Sequence, residues 1–182
     1  MNQQVEILLI TGPAGVGKST VSWEVGAQLA AKEIAHAIVE TDELDRVFPK
    51  PSAEELEALR PGTRDISSLT LAGIWSTYHA LGHRRLIMSG VMVHVGFDRR
   101  WILAAIPDAT IKVVRLMGNE ATITERLARR ETGSGAEAQV QRSLGQAQRI
   151  ASQDASEFLV LQTDGKSPQE LAALILQGSG WV

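Results

Sequence analysis

The chain has 182 residues, a formal net charge of −3, 44% hydrophobic and 21% charged residues, and no cysteine. That composition suits one folded domain burying roughly 70% of its unfolded-chain surface. It excludes intrinsic disorder, a disulfide framework, zinc–thiolate sites and cysteine catalysis, and it fits a reducing compartment. There is no basic excess, no apolar run near ~18 residues and no basic leader before a long apolar stretch, so no nucleic-acid partner, membrane span or signal peptide is expected and the expected location is the cytoplasm.

Residues 5–11 form a short run rich in Val, Ile and Leu, which predicts a strand. From Thr20 to residue 31 the period changes: Val21, Val25 and Leu29 recur every four residues, as on one helix face. Residues 36–41 predict a second strand. A polar stretch at 49–65 follows, with Pro49, Pro51, Pro61 and Gly62 bracketing a short helical segment. Residues 66–81 predict a helix with Ile74, Tyr78 and Leu81 inward. A third strand lies within 86–95 and ends near Ser89-Gly90, and a short helix is expected over 99–105, before Pro107. Residues 109–117 predict the fourth strand. A helix over 119–130 opens on Asn119 as N-cap, with Ile123 and Leu127 at i, i+4. Residues 136–151 carry Val140, Leu144 and Ala147. Residues 158–162 predict the fifth strand. The helix from 167 to 177 opens Ser-Pro-Gln-Glu, with Ser167 as cap and Leu171, Leu174 and Ile175 inward. The four tryptophans, Trp23, Trp75, Trp101 and Trp181, are expected to pack in the core. Strand–helix alternation of this kind predicts α/β structure with a parallel sheet buried on both faces.

The strongest signal is Gly12-Pro13-Ala14-Gly15-Val16-Gly17-Lys18-Ser19, which fits G-x-x-x-x-G-K-[ST] between the first strand and the first helix. Glycines let the backbone curl so that successive N–H groups point at phosphate oxygens. The helix N-terminus adds partial positive charge. Lys18 is expected to reach the β- and γ-phosphates, and the Ser19 hydroxyl to ligate Mg²⁺ with Thr20 nearby. A nucleoside triphosphate with Mg²⁺ is the expected ligand. The base-reading Asn-Lys-x-Asp of GTPases is absent. So is an acid at the end of the third strand, which motor-like ATPases use for Mg²⁺. The acids stand after the second strand instead, at Glu40-Thr41-Asp42.

On the phosphate loop and these acids, the sequence resembles the small P-loop kinases: shikimate kinase, gluconate kinase, chloramphenicol phosphotransferase and the nucleoside monophosphate kinases. Shikimate kinases carry Asp-x-Asp where this chain has Glu40-Thr41-Asp42. The resemblance implies that Glu40 helps hold Mg²⁺ and that Asp42 meets the acceptor hydroxyl as general base. A carboxylate there helps because an alcohol must lose its proton as it attacks phosphorus. The alternatives are an N-cap for a segment over 43–48 at Asp42 and a solvated strand end at Glu40. Asp45 is a weaker candidate.

The resemblance also implies a lid at about 129–137, with Arg126 packing on adenine and Arg130 contacting the transferring phosphoryl group. The two sit at i, i+4 on one helix face, Gly133 and Gly135 would let the lid close, and Arg129 is the solvated member. The alternative is a basic helix C-terminus. Thr163, Asp164 and Gly165 would border adenine or form a plain capping turn. A substrate-binding insertion is expected at about 43–65. Arg46, Arg60, Ser89, Gly90 and Arg100 are the candidate acceptor ligands, with Arg64 and Arg99 beside them and His94 as a further possibility. The segment Ser89-Gly90-Val91 lacks the triple glycine of shikimate kinases.

The expectation is a three-layer α/β/α P-loop NTPase fold across residues 1–182, with a five-stranded parallel sheet in order 2-3-1-4-5 and a small lid. It implies a kinase, an ATP-dependent phosphotransferase acting on a hydroxyl of a small polar metabolite or antibiotic, as a monomer or homodimer. The alternatives are a nucleoside monophosphate kinase, which would depend on clustered arginines, and a non-catalytic ATP-binding switch protein. The apolar end Gly180-Trp181-Val182 would dock on its own domain or on a neighbour.

Overall fold

In the computed structural model, which describes residues 4–130 and 136–182, the elements follow the expected alternation. They are β1 (Glu6–Thr11), α1 (Lys18–Ala30), β2 (Ala37–Glu40), a 3₁₀ turn (Thr41–Glu43), α2 (Ala53–Leu59), α3 (Ile66–Ala80), β3 (Arg85–Gly90), α4 (Val95–Ala105), β4 (Thr110–Met117), α5 (Glu120–Arg130), α6 (Ala136–Ala151), β5 (Leu159–Gln162) and α7 (Pro168–Ser179). The sheet is five-stranded with order β2-β3-β1-β4-β5, and every pairing is parallel.

Period-two alternation in β1 divides the core. Ile7 and Leu9 join Leu86, Met88, Leu71, Trp75 and Ile102 on the face covered by α3 and α4. Leu8 and Ile10 join Ile87, Val114, Val21, Val25, Leu29, Leu171 and Ile175 on the face covered by α1 and α7. All four of these β1 side chains are fully buried. A strand buried on both faces reads as a continuous apolar run, and this one does. The three layers follow directly.

Local chemistry sets the helix starts. The Asn119 side chain accepts from the Thr122 N–H at 2.8 Å, as expected of an N-cap. Ser167 and Glu170 form a reciprocal capping box, with Pro168 in the first turn. Trp181 packs into the α1–α7 cluster, with the Arg85 guanidinium 5.6 Å from its ring centroid, so the apolar end docks on its own chain.

Several expectations are corrected. The third strand ends at Gly90 as expected, but α4 begins at Val95, four residues before the expected 99. The charged run Asp98-Arg99-Arg100 and the neighbouring Gly96 mask that first turn in the sequence. In α3 Ile74 and Tyr78 pack against the core as expected, beside the buried Leu71 and Trp75, while Leu81, just past the helix, is 73% exposed. In α7 Leu176 is buried and Leu174 is not. Trp23 is 60% exposed, because it sits on the side of α1 away from Val21, Val25 and Leu29. The segment 43–48 forms no α-helix. Asp42 lies inside the 3₁₀ turn, whose preceding residue is Glu40, so it caps no such helix.

The end of β3 meets the 3₁₀ turn closely. A Cβ at Gly90 would lie 1.8 Å from the Thr41 hydroxyl oxygen and 3.0 Å from Thr41 Cβ. Only glycine lets β3 pass here. Gly90→Ala is expected to destabilise the fold by about 2 kcal/mol through overpacking, a fall of roughly 4–8 °C for a domain of this size. Thermal unfolding should show partial recovery in Gly90→Ala/Thr41→Ala, which removes the hydroxyl and leaves the tight Cβ contact.

Candidate active site

The C-terminal ends of β1, β2 and β3 gather the site. β1 runs straight into the loop 12–17, which opens α1 at Lys18. Gly12 takes φ +143°, and a Cβ there would stand 2.3 Å from the Leu116 carbonyl oxygen of β4. The loop can fold down on the sheet only without that side chain. Lys18 Nζ donates to the Pro13 carbonyl at 2.9 Å, so the ammonium lies across the loop it follows.

Ser19 begins the outward face of α1, and its hydroxyl donates to Glu40 Oε2 at 3.0 Å. Trp23, one turn on, donates its indole N–H to Glu40 Oε1 at 3.2 Å. Each oxygen of the strand-end carboxylate is therefore held by a donor from α1. A hydroxyl and a carboxylate are hard oxygen donors of the type Mg²⁺ takes, alongside waters and substrate phosphates. Among the described residues no group of three or more His, Cys, Asp or Glu is placed to hold a metal. The residues thus fit a cation shared with a phosphate ligand rather than one caged by protein alone.

Two cavities flank the loop. One, of about 520 Å³, is lined by Gly15–Val21, Arg126, Thr163, Lys166, Pro168 and Leu171. Arg126 donates to the Val16 carbonyl at 3.2 Å and to the Thr163 hydroxyl at 3.5 Å, which draws α5 and the turn after β5 over the loop. Asp164 is turned elsewhere: it accepts the Asn119 backbone N–H at 2.9 Å. The Thr122 hydroxyl, then the backbone donors, hold its carboxyl below the usual range.

The other cavity, of about 400 Å³, brings Ala14, Lys18, Ser19, Glu40, Asp42, Ser89 and Gly90 together with Arg142, Ser143 and Gln146 of α6. The loop, both acids and the end of β3 therefore share one space. Ser89 is buried, with its hydroxyl 3.4 Å from that of Ser22, so it also ties β3 to α1. The Thr11 hydroxyl accepts the Met92 N–H at 3.1 Å and fixes the chain beyond β3 against the end of β1.

Arg142, Ser143 and Gln146 were not foreseen. The expected helix over 136–151 is present, but the apolar positions Val140, Leu144 and Ala147 drew the reading away from its polar side. The i, i+4 spacing of Arg142 and Gln146 is the signal that would have found them. Behind them, the far end of α6 is anchored by Arg115, a buried β4 residue. Its guanidinium donates to the carbonyls of Ile150 (3.1 Å) and Gln153 (3.3 Å) and lies 4.8 Å from the Phe158 ring centroid. Burial lowers its pKa from the ordinary arginine value. The Gln153 amide in turn donates to the Val93 carbonyl.

The remaining candidates lie apart. Arg46 pairs with Glu43 at 3.1 Å, exposed. Arg60, Arg64 and Arg100 line a different cavity, which shares no residue with the two above. Arg99 lies 3.7 Å from Glu157, and His94 is exposed at the start of α4. Arg129 pairs with Glu125 at 2.6 Å in solvent, as expected of the outward member. Arg130 ends α5, but its side chain, with residues 131–135 of the expected lid including Gly133 and Gly135, lies outside the described residues.

This sheet order, with the phosphate loop between β1 and α1 and acids after β2, is the fold of the small P-loop kinases. The tunicamycin resistance protein of Deinococcus radiodurans superposes with TM-score 0.61 at 18% identity, covering 97% of this chain and 96% of that one. A gluconokinase from Sinorhizobium meliloti 1021 gives 0.59 at 17%, over 99% and 94%. The APS kinase of Mycobacterium tuberculosis, in complex with AMPPNP and APS, gives 0.56 at 18%, over 96% of each chain. At these identities the likeness is one of fold. No protein-family model matches the sequence, and no curated protein does.

The hydrogen bonds on Asp164 predict a pH-dependent contribution. A carboxyl held below its unfolded value stabilises the fold above that value, and the stability is lost as pH falls through the folded pKa. Asp164→Asn is therefore expected to lower Tm at pH 7. Thermal unfolding across pH should show its gap to wild type closing below about pH 4, the ordinary aspartate range.

Proposed function

We propose that the chain is an ATP-dependent phosphotransferase whose acceptor is a hydroxyl on a small polar molecule. The observation that carries this reading is the convergence of Lys18, Ser19, Glu40 and Asp42 on one cavity of about 400 Å³. The kinase neighbours of the fold support it. In this reading the loop N–H groups and Lys18 bind the β- and γ-phosphates, with the nucleotide lying towards Arg126 and Thr163. Ser19 and Glu40 would hold Mg²⁺, which supplies charge neutralisation on the phosphates when bound.

Asp42 faces the same space from the 3₁₀ turn. The acceptor oxygen forms its bond to the γ-phosphorus as the bond to the β–γ bridging oxygen breaks, and the acceptor proton passes to Asp42. ADP and a phosphate ester are the products. Lys18 and the lid arginine Arg130 stabilise charge on the equatorial oxygens, where donors are worth most. Arg142 and Gln146 face the acceptor from α6, and Gly90 lets it approach the backbone at the end of β3. A carboxylate base suits an alcohol, whereas a phosphate acceptor needs clustered arginines. Among the described residues, Arg142 is the one arginine lining this cavity.

The test is ADP release from Mg²⁺–ATP against sugar acids, polyols, amino-alcohols, aminocyclitols, hydroxylated antibiotics, nucleosides and nucleoside monophosphates. Hydroxyl acceptors should give turnover that disappears in Lys18→Ala. Asp42→Asn should keep nucleotide affinity and lose about 10²–10⁴ in kcat. Turnover with monophosphates alone, indifferent to Asp42→Asn, would reverse the acceptor assignment, and tight nucleotide binding with no acceptor-dependent turnover would favour a switch.

Glu40→Gln gives a second readout. In calorimetric titration with ATP, its Mg²⁺ requirement should rise about tenfold, while metal-free nucleotide binding stays near wild type.

A further inference from the structure

Arg60, Arg64 and Arg100 stand around a cavity of about 530 Å³ between the loop that follows α2 and the outer face of α4. Among the described residues, none of the three has a carboxylate oxygen within 4 Å. Elsewhere on the surface Arg46, Lys50, Arg99 and Arg129 each sit against one. Glu57 accepts the Gly62 N–H at 3.0 Å, and two further acids of the surrounding elements are each held by a donor. Asp65, in the cavity wall, accepts the Ser67 N–H at 2.9 Å as the N-cap of α3. Asp98, one turn into α4, accepts the Trp101 indole N–H at 3.2 Å. Three arginines thus border one concavity against a single wall carboxylate, Asp65, with no ion pair among them and the described acids, a net positive arrangement that raises the local concentration of anions.

The wall also has an aromatic side. Phe97 is 56% exposed, and Trp101 lines the same cavity. The Arg100 guanidinium lies 5.4 Å from the Phe97 ring centroid, which orients it and leaves its N–H edge for an oxyanion. The Arg60 guanidinium is drawn to α4 by the Ala104 carbonyl at 3.5 Å. A large apolar ring in solvent beside guanidinium groups that form no ion pair with the described acids suits a ligand that is flat at one end and negatively charged at the other.

We propose that this cavity is a binding site for a small aromatic oxyanion, a ring bearing a carboxylate or phosphate group. The oxyanion is held by Arg64 and Arg100, with Arg60 beside them, and the ring lies against Phe97 and Trp101. The site shares no lining residue with the cavity at Lys18 and Asp42, so it stands independently of the phosphotransferase reading.

The test is direct binding to the whole chain without nucleotide, by calorimetry and by Trp fluorescence, using phenyl phosphate, benzoate, methyl phosphate and inorganic phosphate. Phenyl phosphate or benzoate should bind saturably and more tightly than the ringless probes, and whichever of the two binds better names the oxyanion. The affinity should fall with salt. Arg64→Gln/Arg100→Gln, at exposed positions and so expected to fold normally, should weaken it by about tenfold or more. Phe97→Leu should abolish the preference for a ring. Lys18→Ala should leave binding unchanged, which separates this site from the phosphate loop. Absence of saturable binding, or binding lost in Lys18→Ala and indifferent to the arginine changes, would overturn the proposal.

Discussion

The rest of the molecule depends on β1 being buried on both faces. Ile7, Leu8, Leu9 and Ile10 leave no side for solvent, so the strand can occupy only the middle of the sheet, under helices above and below. Its end then delivers the loop 12–17 to the centre of the C-terminal edge. The missing side chain at Gly12 lets that loop settle on the Leu116 carbonyl. A larger residue would lift the loop off the sheet and carry Lys18 and Ser19 away from the groups they meet.

The order of the neighbouring strands makes the second contribution. β3, not β2, pairs with β1, so a crevice opens between the loop and β2, where ligands of open α/β sheets characteristically bind. Glu40 crosses that crevice to Ser19 and Trp23. The close passage of Gly90 beneath Thr41 sets how near the 3₁₀ turn and Asp42 come to the loop. A packing constraint between two small residues thus governs the placing of a carboxylate.

The layers and the place of the phosphate loop between β1 and α1 were legible because both are local in sequence. Apolar runs, helix caps and the loop pattern each occupy a few consecutive residues. The grouping of the arginines and of the polar side of α6 was legible only in part. Arg46, Arg60 and Arg100 look equivalent in sequence, yet one pairs with Glu43 and two line a separate cavity. That partition is decided by the path of α2, α3 and α4, which no short window contains. Trp23 misled because large aromatics usually bury. Its position two residues from Val21 places it on the outward side of α1, and Glu40 gives its indole a partner there. Arg142 and Gln146 were missed because an apolar stripe explains a helix without asking what its other side meets.

That other side of α6 is held in place by an interaction at its far end. A buried arginine is costly unless its donors are satisfied. Arg115 meets this condition through its two terminal nitrogens, which donate to carbonyls in and just beyond the last turn of α6 and to Gln153, while its Nε has no partner among the described residues; there a helix presents partial negative charge. Gln153 completes the connection. Its side-chain oxygen accepts from Arg115 at 3.4 Å, and its amide donates to the Val93 carbonyl in the segment that leaves β3. The helix bearing Arg142 and the strand end bearing Gly90 are therefore joined through one glutamine to the interior of the sheet. These two walls of the cavity at Asp42 come from parts of the chain about fifty residues apart, and this polar bridge between them keeps the cavity's width from depending on apolar packing alone.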